Sequence, residues 1–205
     1  MDFSLTPDQE AIIDSVRKTC ANFDDDYWLE RDRTGKFPYD FYSAMAEGGW
    51  LGIAMPEEFG GAGLGVTDAA LMMHTVANSS GAMAAASAIH INIFGPHPIV
   101  VFGNEEQKQM LLPGISSGEL RLQAFGVTEP TSGTDTSRIR TTATKDGDKY
   151  RINGQKVWTS RIEHSDFMLL LARTAGRDEG EKPHHGMSVF LVDIRGAQDN
   201  GLTIK

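Results

Sequence analysis

A single cysteine, Cys20, stands among 205 residues, so no intrachain disulfide can form and no cysteine-based metal cluster can be built. A reducing compartment is the expectation. Positive charge is also scarce: 19 Lys and Arg face 28 Asp and Glu, for a net charge of −9. The deficit lies in the first 120 residues, with 6 basic against 17 acidic side chains, whereas the remainder carries 13 against 11. No concentrated basic stripe exists to neutralise phosphates, which argues against a nucleic-acid partner. The second part is the better host for an anionic small ligand. The acidic N-terminus, MDFSLTPDQE, has no apolar core of signal-peptide type, and no later run reads as long and apolar enough to span a bilayer. The expectation is a cytoplasmic protein without a membrane partner.

Several catalytic signatures are missing too. The run Phe59–Gly65, FGGAGLG, fails as a dinucleotide fingerprint because no glycine has partners at both the second and fifth following positions, and a helical pattern precedes it. No Walker-type GK[ST] and no G-x-S-x-G elbow occur. The six histidines form no H-E-x-x-H pair, and without cysteine partners a structural zinc site is not expected. His164 reads as a supporting or surface residue, and His184-His185 as an exposed loop.

What is present divides near residue 120. Before it the pattern is helical. Thr6, Pro7 and Gln9 make a capping-box start, followed by Ile13, Val16, Cys20 and Phe23 at helical spacing. A second helix is predicted from Pro38 to Gly48-Gly49, and a third capped by Thr67-Asp68 that runs through Leu71, Met72 and His74. Met72 and Met73 read as core in preference to pocket lining. An Ala-rich helix follows from Ala82 towards Pro96, then a short one from Asn104 to Leu112, with Gln107 three residues after the cap and Pro113-Gly114 as a stop. After Gly118 the period becomes that of strands: Arg121–Val127, Tyr150–Ile152, Lys156–Ser160, Phe167–Leu171 and Met187–Ile194. Asp146-Gly147 and Asn153-Gly154 are hairpin signals, and a polar loop with Lys182-Pro183-His184-His185 separates the last two strands. The expected fold class is α+β: an all-α N-terminal domain over residues 1–119, then a small antiparallel β-barrel or sandwich over residues 120–205.

One stretch has more hydroxyls than a turn needs. Phe125–Ile139, FGVTEPTSGTDTSRI, crowds Thr128, Thr131, Ser132, Thr134 and Thr136 around Gly133. Either these residues only shape a turn, or small side chains let backbone amides approach a polyanion or heterocycle.

Three segments in register favour the second reading. Gly49–Gly63 (GWLGIAMPEEFGGAG), Phe125–Asp135 (FGVTEPTSGTD) and Asn153–Ser160 (NGQKVWTS) resemble, in order and separation, three motifs of the acyl-CoA dehydrogenase family of flavoenzymes. The resemblance implies FAD as cofactor, an acyl-CoA thioester as substrate, an electron-transferring flavoprotein as electron acceptor, and a homo-oligomeric enzyme. A flat, amphipathic flavin needs an apolar or aromatic wall and a few donors at its pyrimidine edge and N5. By resemblance, Phe125, Val127 and Thr128 line the pyrimidine side, and Gly133 and Thr134 approach the pyrophosphate or the acyl-CoA chain. Trp158 supplies a wall, with Thr159 beside it, and the Ser160 hydroxyl lies near N5. Glu129-Pro130 reads as architectural, with the carboxylate bonding backbone groups.

The family adds a C-terminal helical domain that carries the catalytic base. No counterpart of it is read in this sequence, so no catalytic residue is assigned here, and the chain is expected to be an inactive portion of the enzyme. Two alternatives stay open: a naturally short flavin-binding or scaffold subunit that completes its site with a partner chain, and a flavin monooxygenase or oxidase of the same fold.

Overall fold

In the computed structural model the described residues are 4–175, 182 and 184–205. They form two compact units, divided in sequence between Leu122 and Gln123.

The first unit is helical. Thr6 caps α1 (Pro7–Cys20) through the expected reciprocal box: its hydroxyl accepts from the Gln9 amide and the Gln9 side chain accepts from the Thr6 amide, both at 3.2 Å. α2 (Asp25–Thr34), capped by Asp24, is absent from the sequence reading because it is highly charged and buries only Trp28. α3 (Tyr39–Glu47) buries Phe41, Tyr42 and Met45. α4 (Val66–Ala77) starts at Gly65, not at the predicted Thr67-Asp68 cap. Asp68 reaches back to accept from the Gly65 amide at 3.1 Å. Met72 is fully buried in the core and Met73 packs against it, as expected.

α5 (Ala82–Phe94) and α6 (His97–Phe102) follow. The 21 residues Ala82–Phe102 reach a mean hydropathy of 1.3 and, contrary to expectation, are long and apolar enough to cross a bilayer. Half of that stretch is buried inside the protein, with Ala85, Ala88 and Ile89 in the core, and this is how the core helix of a globular domain packs. α7 (Glu105–Ser117) begins at the expected Asn104–Gln107 capping box but runs through the predicted Pro113-Gly114 stop. Leu111, Leu112, Ile115 and Ser116 are buried on it, and that packing outweighs the hydrogen bond Pro113 cannot donate. Gly118 ends the helix at φ +81°.

The second unit is a mixed sheet. β1 (Leu122–Gly126), β2 (Thr142–Asp146), β3 (Lys149–Asn153), β4 (Phe167–Arg173) and β5 (Met187–Asp193) lie in the order β1-β4-β2-β3, with β5 also on β4. β2 and β3 form an antiparallel hairpin through Gly147, at φ +64°, as the Asp146-Gly147 signal predicts. β4 and β5 are antiparallel over seven pairs. The expected antiparallel barrel or sandwich is not what forms. β4 meets β2 in parallel at Thr142 and Arg173, and the sheet stays open. β3 ends beside the start of β2, Asn153 against Thr142, and β4 runs towards that same end, so that its last residue, Arg173, meets Thr142 with the two strands pointing the same way.

Two local predictions fail with it. Lys156–Ser160 is not a strand, and Asn153-Gly154 is not a hairpin turn. Gly154 instead lies against Thr141, where a Cβ would come within 2.7 Å of the Thr141 Cα. The sheet buries Ala124, Met168 and Leu170 with Ile194 of α8 (Ile194–Asp199), a helix capped by the Asp193 carboxylate. Of the polar loop between β4 and β5, residues 176–181 and Pro183 lie outside the described residues, while His184 and His185 are exposed.

Candidate functional site

Two glycine-containing loops compete for the role of an anion cradle, and their hydrogen bonds separate them. In the loop after Pro56 the amides of Gly60, Gly61, Ala62, Gly63 and Leu64 are all spent on carbonyls of residues 52–57. Gly61 is there for packing, since a Cβ on it would meet the Met55 carbonyl oxygen at 2.1 Å. Among the described residues, the stretch Phe59–Leu64 has no backbone amide left for a ligand. The segment after β1 differs. Glu129 and Ser132 exchange backbone bonds at 2.9 and 3.1 Å, closing a tight turn around Pro130. The Ser132 hydroxyl donates to the Asp135 carbonyl at 2.7 Å, and the Asp135 carboxylate accepts from the Ser137 amide and hydroxyl. Ser132 therefore shapes the loop. Gly133 and Thr134 are exposed, no hydrogen bond among the described residues occupies their amides, and a Cβ on Gly133 would meet nothing within 4 Å.

Glu129 behaves as the sequence reading expects: it bonds backbone. Its carboxylate accepts from the Arg140 amide at 2.6 Å and the Thr141 amide at 2.9 Å. It also accepts from the Lys156 ammonium at 2.8 Å, and Lys156 donates as well to the Val127 carbonyl at 3.0 Å. Burial by itself pushes this carboxyl up, but Lys156, Thr141 and the Arg140 amide more than reverse that and hold its pKa at about 2. A group so easily ionised is a poor proton acceptor near neutrality. Lys156 is the residue that sequence reasoning missed. It was visible in the N-G-x-K-x-W register, but nothing local tells a buried lysine from a solvated one.

The two predicted segments lie together. Val157 donates its amide to the Thr128 carbonyl at 2.9 Å, which adds to the Lys156–Val127 bond. Phe125, Val127 and Thr128 are half-buried along this seam. Trp158 stands next on the chain in the left-handed region, φ +59°, with its side chain 86% exposed. Its carbonyl accepts from the Ser160 amide at 3.0 Å, so Trp158, half-buried Thr159 and exposed Ser160 form one tight turn. The left-handed region disfavours residues with a Cβ, and occupancy by a tryptophan needs support from its surroundings. No hydrogen bond among the described residues joins Gly133 or Thr134 to Trp158–Ser160.

A helical unit followed by a mixed-sheet unit with these segments side by side is the acyl-CoA dehydrogenase fold. Residues 6–119 match the acyl-CoA dehydrogenase N-terminal domain and residues 124–205 the middle domain. The chain belongs to the acyl-CoA dehydrogenase family. An acyl-CoA dehydrogenase of Bacillus subtilis (strain 168) is 38% identical over 162 residues, which is 79% of this chain and 41% of that protein. The crystal structure of an acyl-CoA dehydrogenase from Geobacillus kaustophilus superposes with a TM-score of 0.82 at 28% identity, over 94% of this chain and 50% of that one. An FAD complex of PigA superposes with a TM-score of 0.84 at 26% identity, over 94% and 49%. The chain spans about half the length of these relatives.

Proposed function

We propose that this chain supplies the flavin-holding part of an FAD-dependent dehydrogenase acting on an acyl-CoA thioester. The observation that carries the reading is the contrast between the loops: among the described residues the amides of Gly133 and Thr134 themselves are unspent, whereas those of the FGGAG stretch are used up. The donor set fits the cofactor. Phe125, Val127 and Thr128 offer an amphipathic edge, Trp158 an accessible indole face, Ser160 a free-standing hydroxyl, and Gly133 and Thr134 unhindered amides for a pyrophosphate or the acyl-CoA chain. The FAD complex of PigA at TM-score 0.84 supports the same cofactor. When bound, FAD supplies the acceptor for the substrate's β-hydride. Phe125, Val127, Thr128 and Trp158 would hold its ring, and Ser160 would offer it a hydroxyl.

The proton taken from the substrate's α-carbon needs another group. Glu129 is committed to Lys156 and two backbone amides and is not that group, and with no other base assigned the 205-residue chain alone is proposed to hold FAD weakly and not to turn over. An electron-transferring flavoprotein is the proposed acceptor, and the complete enzyme is proposed to be a cytoplasmic homo-oligomer. The test is to purify the complete protein that carries this chain and add acyl-CoA under anaerobic conditions. The expected result is a yellow protein whose flavin absorbance bleaches on acyl-CoA addition and whose turnover consumes no oxygen. A structure of PigA with FAD and proline shares the fold at 25% identity, so reduction by an amino acid and not by any acyl-CoA is the result that would overturn the substrate.

A further inference from the structure

We propose that the buried Lys156–Glu129 pair is a positioning clamp that fixes where Trp158–Ser160 stands against Phe125–Thr128, a role that rests on the flavin reading for its consequence but not for its geometry. Gly154–Thr159 is not a strand, so no ladder of backbone bonds sets its register. Among the described residues, one backbone hydrogen bond ties it to the Thr128 side, from the Val157 amide. The other hydrogen-bonded tether to that side among the described residues is Lys156. Its ammonium, on a side chain only 9% exposed, spends one donor on the Val127 carbonyl and one on Glu129. Glu129, 3% exposed, is in turn fixed from the other side by the amides of Arg140 and Thr141. One carboxylate therefore joins three stretches of chain, and the lysine it holds is two residues before the left-handed Trp158.

Stability alone explains this pair poorly. Desolvating two charges costs about as much as their attraction returns, and a well-packed apolar replacement is often neutral. Geometry explains it better. A left-handed tryptophan reverts to extended backbone unless its neighbours are held, and in that case the indole and the Ser160 hydroxyl would move together. Lys156, whose ammonium is held by Val127 and Glu129, is thus a positioning residue that acts through Trp158 and Ser160.

The test reads Trp158 without any flavin. The 205-residue chain is labelled with 5-fluorotryptophan, and the Trp158 resonance is assigned by Trp158→Phe, with Trp28 and Trp50 as internal reports on the helical unit. In Lys156→Met, and in the charge-neutral double variant Glu129→Gln/Lys156→Met, the Trp158 signal should shift or broaden while the other two stay. Lys156→Arg should return it towards the parent position. An unchanged Trp158 signal in a folded variant, whatever happens to the melting temperature, overturns the clamp. If the single variant does not fold, the double variant decides on the same criterion. In the complete protein, FAD affinity should fall about tenfold, the effect of losing one placed contact. A parent that binds no FAD defeats the flavin reading and leaves the fluorine result standing.

Discussion

Asn92, fully buried on α5, accepts a hydrogen bond from the amide of Leu122 at 3.1 Å, at the point where the helical unit gives way to the first strand. The same side chain donates to the Tyr42 hydroxyl at 3.0 Å and to the carbonyls of Ile115 and Leu120 at 3.3 and 3.4 Å. One amide thus joins α3, α5, α7 and the lead into β1. Asn92→Leu keeps the volume but strands these partners, at about 1–3 kcal/mol for each buried group left unpaired. Urea unfolding should show a clearly lower midpoint. A midpoint equal to that of the parent would mean that water or a neighbour replaces the amide.

Gly154 gives a second stability test. A Cβ there would meet the Thr141 hydroxyl oxygen at 2.3 Å and the Thr141 Cα at 2.7 Å, and the backbone atom has no rotamer through which to withdraw. Gly154→Ala should destabilise the sheet unit by about 1–3 kcal/mol. Gly147→Ala strains a left-handed turn residue but meets no atom within 4 Å, so it should cost less. If calorimetry finds the two equal, close approach is not why Gly154 is glycine.

The same glycine shows where the sequence stopped being legible. Asn-Gly is a strong hairpin signal because it tolerates positive φ, yet Gly154 is needed for space and not for a turn, and single-chain patterns do not separate the two needs. Caps were legible at Thr6 and Asn104, because a capping box is written in four consecutive residues. α2 was not, because its 10 residues carry charge all round and bury one tryptophan. The Pro113 stop failed because tertiary burial of Leu111, Leu112 and Ile115 overrides a local breaker. At the site, the segments were readable through their motifs, but the parallel meeting of β2 and β4 and the buried Lys156 depend on partners distant in sequence.

Ser160→Ala in the complete holoenzyme should slow reduction of the bound flavin by substrate about two- to tenfold, the kinetic equivalent of one hydrogen bond worth about 0.5–1.5 kcal/mol. Ser160 is exposed in the tight turn after Trp158, so the melting temperature should hardly change. Stopped-flow reduction under anaerobic conditions measures the first effect. Equal rates for parent and variant would remove Ser160 from the neighbourhood of N5.

The Glu129 carboxyl makes acid sensitivity a property of the site. Its folded pKa lies at about 2 against an ordinary 4.5, so between those values the unfolded chain binds the proton that the folded one refuses. The sign follows: the stabilisation is complete above about pH 5 and is lost as the pH falls from there towards 2. For a side chain this deeply buried the shift corresponds to about 3 kcal/mol, of which roughly 2 should be gone by pH 3. Other carboxylates titrate in the same window, so the informative quantity is the stability gap between the parent and Glu129→Gln. That gap should be widest at pH 7, where the variant leaves Lys156 buried without its counter-charge, and should narrow steadily between pH 5 and pH 3 in urea-unfolding series. A gap that stays constant across that range would show that Glu129 contributes packing and hydrogen bonds independent of its charge.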